Sequence, residues 1–334
     1  MKLILRFLAL LAIATAPTVS AQISYSGLYV FGDSLTDSGN AYLGTGGAQA
    51  NPTNGYYFGR FSNGPNFADD ISLALLGAPT VPALVHGGLN FSVGGADAQF
   101  KPGAVSPSFL EQIGLYGTFI GAPIPSDALV LITFGGNDVR DTIFTGGAID
   151  FAAAGNDFTT GLGQLYGLGA RNFVIVDTPD IGLLPVSIAT VGAIPGRLGE
   201  LTDRSQDINA LLADSAGALD AMPGTHVSFF DLFSFEHNLL ANPAAFGLPA
   251  GLNATTPCQI VGGGSPQLAN CSNSLYFDAI HPTAQVHAVI AGAILAQLRS
   301  TAAVPEPATW LAMLFGFAVI GVALRRHARA PVIA

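Results

Sequence analysis

Cysteine is nearly missing from this chain of 334 residues: only Cys258 and Cys271 occur, both in a stretch rich in Gly, Pro and Asn. Structural zinc usually takes four nitrogen or sulfur ligands, and no further Cys or His gathers near these two. The pair therefore reads as a disulfide rather than a metal site, which suits an oxidising compartment. Basic residues are scarce as well, with 12 Lys+Arg against 22 Asp+Glu and a net charge of -10. Such a surface repels phosphate backbones, so nucleic acid is not expected as a partner, and strongly anionic lipids or polymers are disfavoured as substrates. No fixed repeat period organises the 41 glycines, which argues against a solenoid or a β-helix. No Asp-x-His pair stands where an apolar run ends, so the ligand set of a metal-dependent phosphoesterase is missing.

The two ends of the chain read as signals rather than fold. Residues 1–21 have a basic start at Lys2 and Arg6, an apolar centre, and small residues at Val19 and Ala21. That is the pattern of a secretory signal peptide, cut by signal peptidase after Ala21. At the other end an uncharged run from Ala308 to Leu324 is at the short limit for a membrane span. Arg325, Arg326 and Arg329 follow it, on the flank that such charges keep cytoplasmic. Pro305-Glu306-Pro307, the short transmembrane stretch and the arginine tail together resemble the PEP-CTERM sorting signal of Gram-negative bacteria. The resemblance implies recognition and removal by an exosortase-type membrane protease, an inner-membrane-anchored precursor, and a mature protein at the cell surface or outside the cell. A permanent anchor is the alternative. Without both segments the body carries about -14, seven basic residues against twenty-one acidic ones.

Between the signals, short apolar runs alternate with longer amphipathic stretches. Strands are expected at Leu28–Phe31, Asn90–Val93, Ala128–Phe134, Asn172–Asp177 and His226–Asp231. Helices are expected at Pro65–Leu76, Ser108–Ile120, Phe151–Leu168, Leu201–Met222 and Thr283–Leu298. Continuous apolar strands separated by helical lengths predict an α/β fold, a three-layer sandwich around a central parallel sheet of about five strands. The irregular stretches 41–63 and 243–274 read as insertions over one end of that sheet, where α/β proteins build their sites. The first of them holds no long apolar lid, which suits an open site and small or flexible substrates.

Side chains just past the C-terminal ends of parallel strands converge on one crevice. There the sequence places Gly32-Asp33-Ser34, Gly94-Gly95, Asn137-Asp138 and, before the last helix, Asp278 and His281. A serine becomes a useful nucleophile only when a neighbouring base takes its proton, and His281 is the candidate. Asp278, three residues earlier, can hold the Nδ1 hydrogen and turn Nε2 toward Ser34, while Pro282 keeps His281 out of helical geometry. Donors for a developing oxyanion are available at Gly95, or Gly94 in its place, at the Asn137 amide, and at the Ser34 N–H. Asp37 and Asn40 read as ordering the turn after Ser34. His86, His226, His237 and His287 lack any such motif and read as structural.

The blocks "FGDSLTDSGN", "NFSVGGA", "GGND" and "DAIHP", in this order, resemble the SGNH or GDSL hydrolases, and "GRFSNGPNFADDI" resembles their lipase-like branch. The resemblance implies a flavodoxin-like hydrolase domain over residues 22–303, with the sorting segment at 304–334. It implies Ser34 as nucleophile, His281 as base, Asp278 as orienting acid, and Gly95 with Asn137 as oxyanion donors, with no cofactor. The implied function is an exported serine esterase or lipase acting on carboxylic esters, either lipid esters or acetylated exopolysaccharide, and an association with exopolysaccharide. The alternative is a non-catalytic surface or matrix binding protein on the same fold.

Overall fold

The computed structural model describes residues 24–259, 270–302 and a few positions between 316 and 325. The signal segment 1–21 and most of the stretch Ala308–Leu324 lie outside the described residues. Among those that are described, no helix is long and apolar enough to cross a membrane. Ser24–Leu295 forms one compact unit.

Its sheet has four parallel strands in the order β1 (Leu28–Gly32), β2 (Leu129–Thr133), β3 (Asn172–Val176) and β4 (His226–Phe230). The sequences "LYVFG" and "LVLIT" are buried at every position, as strands covered on both faces must be. "HVSFF" in β4 is more exposed, as an edge strand can be.

The fifth expected strand, Asn90–Val93, is not part of this ladder, yet it lies parallel beside β1. Val30 N–H donates to Leu89 C=O, Phe91 N–H to Val30 C=O and Val93 N–H to Gly32 C=O, all within 3.0 Å. On its other side Asn90 pairs only with the segment around Pro82, which has no N–H to extend a ladder. Counted with this stretch, the spatial order is 2-1-3-4-5, the flavodoxin-like arrangement, and ligands bind at its switch point beside the first strand.

Helices cover both faces of the sheet. The residues pointing to one face, Tyr29, Phe31, Val130, Ile132, Phe173 and Ile175, pack against α3 (Phe109–Phe119), α5 (Phe151–Gly167) and α7 (Arg197–Asp220). The alternate residues Val30, Leu131 and Val174 are equally buried. Helix α2 (Phe67–Leu76) starts at an Asn66–Asp69 capping box, and α3 at a Ser108–Glu111 one. Phe67 of α2 meets His287 of α9 (Ala284–Ala302) at 5.8 Å between ring centroids. His287 Nδ1 accepts the Phe67 N–H, and burial pushes its pKa down to about 3, so this histidine is a neutral structural group.

Four helices were not expected: α1 (Asn40–Gly44), α4 (Gly136–Thr145), α6 (Pro185–Val191) and α8 (Leu232–Ala241). Two of them, α6 and α8, start on readable signals: Pro185 at the first helical position, and Asp231 capping the Ser234 N–H.

Cys258 and Cys271 form the expected disulfide. Cys258 N–H donates to Tyr276 C=O and Gln259 N–H to Phe277 C=O, so the clip braces the chain that leads into Asp278. Replacing Cys258 with Ser should remove about 3 kcal/mol and lower Tm by roughly 6–12 °C, read by calorimetry. In the native protein neither thiol should react with a maleimide until reductant is added; prompt labelling would contradict the clip.

Candidate active site

Gly32 ends β1 where space is tightest. A Cβ there would lie 2.6 Å from Thr36 Oγ1 and 2.7 Å from Thr133 Cγ2. Both of its peptide groups are taken by the buried Gln112 side chain, whose Oε1 accepts the Gly32 N–H (2.9 Å) and whose Nε2 donates to Gly32 C=O (2.8 Å). The chain then turns. Asp33 C=O accepts from Thr36 and Asp37 N–H, and Asp33 Oδ1 accepts the Leu35 N–H, so Ser34 is displayed at the head of a tight turn.

Asp37 and Asn40 hold this turn from behind, as their turn-ordering reading predicts. The Asp37 carboxylate accepts four backbone N–H groups, from Gly39, Asn40, Ala41 and Gly94. Burial raises its pKa to about 6 against those donors, which lower it. Asn40 Nδ2 donates to Asn90 C=O and Ser92 C=O, tying the first block to the second. One consequence bears on the two glycines: the Gly94 N–H is already committed to Asp37 at 2.9 Å. Gly95 follows in a left-handed conformation (φ 84°), where a side chain would be strained.

His281 reaches Ser34 across 247 residues of sequence, with 2.7 Å between Nε2 and Oγ. On the far side of the ring, Nδ1 lies 2.7 Å from Asp278 Oδ2 and 2.9 Å from Oδ1. Asp278 Oδ1 also accepts the Ile280 and His281 N–H groups, a three-residue turn that locks the carboxylate under the ring. Burial alone would raise the Asp278 pKa, but the His281 charge and hydrogen bonds hold it below the ordinary carboxylate value. Phe61 packs against the imidazole at 4.9 Å between ring centroids.

Tyr56 was not foreseen. Its hydroxyl donates to Asp278 Oδ2 at 2.8 Å, and burial together with that carboxylate raises its own pKa, so it remains a donor. It comes from the Gly/Asn/Tyr-rich insertion, where nothing in the local pattern separates it from Tyr57.

Ser34, Gly95, Asp278 and His281 line one cleft of about 790 Å³, together with Tyr56 and Phe61. Asn137 stands on the first turn of α4 behind it, and its Nδ2 donates to Ala96 C=O at 2.8 Å, which fixes the amide beside Gly95. At its other end the cleft is charged: Lys101 bridges Asp97 (2.8 Å) and Asp141 (3.4 Å), and Arg140 joins Asp141 at 3.1 Å. Below them Asp138 accepts the Ala98 and Gln99 N–H groups, and burial and the Asp97 charge push it up to about 7. Burial likewise raises Asp33 to about 6, against the Leu35 N–H and the His281 and Arg140 charges. Among the described residues no group of three or more His, Cys, Asp or Glu is placed to hold a metal ion.

Residues 28–294 match the profile of the GDSL-like lipase/acylhydrolase family, and residues 303–327 match the PEP-CTERM protein-sorting motif. The chain is similar to the GDSL esterase/lipase LTL1 of Arabidopsis thaliana, 28% identical over 327 residues that cover 83% of this chain and 88% of that one. GDSL esterase/lipase 7 of the same plant is 25% identical over 312 residues, covering 79% and 85%. Among solved structures, the acetylxylan esterase Axe2 from Geobacillus stearothermophilus superposes with a TM-score of 0.44 at 13% identity, covering 82% of this chain and 95% of its own. The lipase/acylhydrolase from Enterococcus faecalis gives 0.42 at 13% identity, covering 82% and 96%. With the serine, histidine and aspartate blocks brought into one cleft and the family profile running from β1 into the last helix, the chain belongs to the GDSL-like lipase/acylhydrolase family.

Proposed function

We propose that this carboxylic ester hydrolase works outside the cytoplasm through an acyl-Ser34 intermediate. The observation that carries the reading is the continuous line from Asp278 through His281 to Ser34 Oγ, with both ring contacts at 2.7 Å. Ser34 Oγ attacks the ester carbonyl carbon as its proton passes to His281 Nε2, and Asp278 holds the resulting imidazolium. Collapse of the tetrahedral intermediate breaks the bond to the alcohol oxygen, which leaves with that proton. Water then attacks the acyl-serine by the same route, with His281 taking its proton and returning it to Ser34, and the carboxylic acid departs. The oxyanion donors are the Gly95 N–H and the Asn137 amide. Gly94 is not a candidate because Asp37 holds its N–H.

The surrounding segments support export. Residues 1–21 act as the signal peptide, 22–303 form the hydrolase domain, and 304–334 act as the sorting segment. The PEP-CTERM match supports processing by an exosortase-type protease and delivery to the cell surface or beyond. There the substrates are lipid esters or acetylated exopolysaccharide, and association with exopolysaccharide follows from the same route.

A fluorophosphonate probe tests the chemistry. It should label the purified protein once, on Ser34, and stop hydrolysis of p-nitrophenyl esters. Absence of both label and hydrolysis would sink the reading and leave a binding module on a hydrolase fold.

A further inference from the structure

We propose that an apolar groove opening off the catalytic cleft is the acyl-chain site, and that the preferred substrates are neutral esters of medium-chain fatty acids. The inference rests on the acyl-serine reading above. The cleft shares Gln49, Val105 and Ser106 with a second hollow of about 240 Å³. That hollow runs between α1, the loop holding Leu84, and α3, over Ala41, Gly44, Phe91, Leu115 and Phe119. Among the described residues, no charged side chain lines it.

Its polar groups are mostly spoken for. Asn40 Nδ2 is bonded to Asn90 and Ser92 C=O and its Oδ1 to the Leu84 N–H. Thr45 Oγ1 donates to Ala41 C=O, and Ser106 Oγ to Gly94 C=O. A sugar would find few partners there, whereas a methylene chain needs none. Around the mouth, large apolar side chains stand in solvent: Val105 is 89% exposed, Leu84 49% and Phe119 46%. Exposed apolar groups gathered beside a binding cleft mark a surface that meets an apolar ligand.

The chemistry selects the acyl side. The leaving oxygen receives its proton from His281, so the alcohol lies on the side of His281, Tyr56 and Ile280. The groove takes no residue from 278–282. It joins the cleft at Ser106, which is bonded to the carbonyl of the residue before Gly95. The substituent on the carbonyl carbon opposite the leaving oxygen therefore points into it. A separate cavity behind Leu35 and Ile280 holds only about 40 Å³, room for a few water-sized groups and not for a chain. The acidic body disfavours anionic headgroups and repels the released carboxylate.

The test is kcat/KM for p-nitrophenyl esters from acetate to dodecanoate, with the full protein. Each methylene that enters the groove should raise it about fourfold, the change that about 0.8 kcal/mol of burial gives. The expected wild-type gain from acetate to octanoate is roughly 10² or more, flattening beyond. A Cβ at position 44 meets only Leu84 Cδ1, at 3.6 Å, so Gly44→Leu can be built without a clash at Cβ and fills the groove. It should lower the octanoate-to-acetate ratio at least tenfold. Phe119→Ala, which trims an exposed wall, should lower the ratio severalfold and serves if the first variant does not fold. A flat wild-type profile with acetate still cleaved, or variants that scale all esters equally, would overturn the groove and leave the esterase standing. No turnover at any chain length, with Ser34 unlabelled, would overturn both.

Discussion

Ser34→Ala should leave the protein folded and lower ester turnover by about 10⁶-fold, because the members of such a relay act as a unit. Among the described residues, the side-chain hydrogen bond of Ser34 is the 2.7 Å contact to His281 Nε2. The turn that presents it is held instead by Asp33, Asp37 and Asn40 through backbone groups, which the substitution does not touch. Stability should therefore be unchanged in calorimetry while kcat collapses. His281→Ala should fall as far, since the imidazole is the partner of Ser34 Oγ that takes its proton. Turnover above a tenth of wild type in either variant would remove the assignment of nucleophile and base.

The second large effect is expected from Asp278→Asn, a loss of about 10⁴-fold in kcat with KM little changed. The carboxylate does two jobs at once. Oδ1 accepts the Ile280 and His281 N–H groups, and both oxygens face Nδ1. An amide oxygen can keep the backbone bonds, so the loop should survive. The amide NH₂ must then face Nδ1 and Tyr56, and as a donor it forces the ring proton onto Nε2. In that tautomer Nε2 donates to Ser34 and cannot accept its proton. Kinetics paired with ring-nitrogen NMR reads the result: wild-type kcat, or Nδ1 still protonated at neutral pH, would show that another acceptor orients His281.

Much of the fold is legible because its cues are local. The strands at 28–32, 129–133, 172–176 and 226–230 are short apolar runs in the expected places, and the capped helices at 67–76 and 109–119 announce themselves. The stretch 90–93 shows the limit of such cues. It has strand composition, but Asn90 and Ser92 give their polar groups to the first block, and the neighbouring Pro82 stops the ladder from widening. Helix α4 was hidden for a similar reason. "GGND" looks like a turn, and only the left-handed Gly135 (φ 106°) makes it a helix start.

Of the active site, the sequence alone determined the class of side chain at each position: a serine, a histidine, an aspartate, a glycine pair and an asparagine, each where an apolar strand or turn gives out. Those choices are dictated by residue chemistry and by the order of blocks, which a linear text preserves. The tertiary structure decided everything that depends on distance through space. It committed the Gly94 N–H to Asp37, it brought Tyr56 onto Asp278 across 222 residues, and it opened a groove between α1 and α3 beside the cleft. Periodicity reports only which face of an element is apolar. Which of two adjacent N–H groups is already bonded, or which tyrosine of an irregular loop reaches a carboxylate, follows from how the loops pack over the sheet, and no spacing along the chain encodes it.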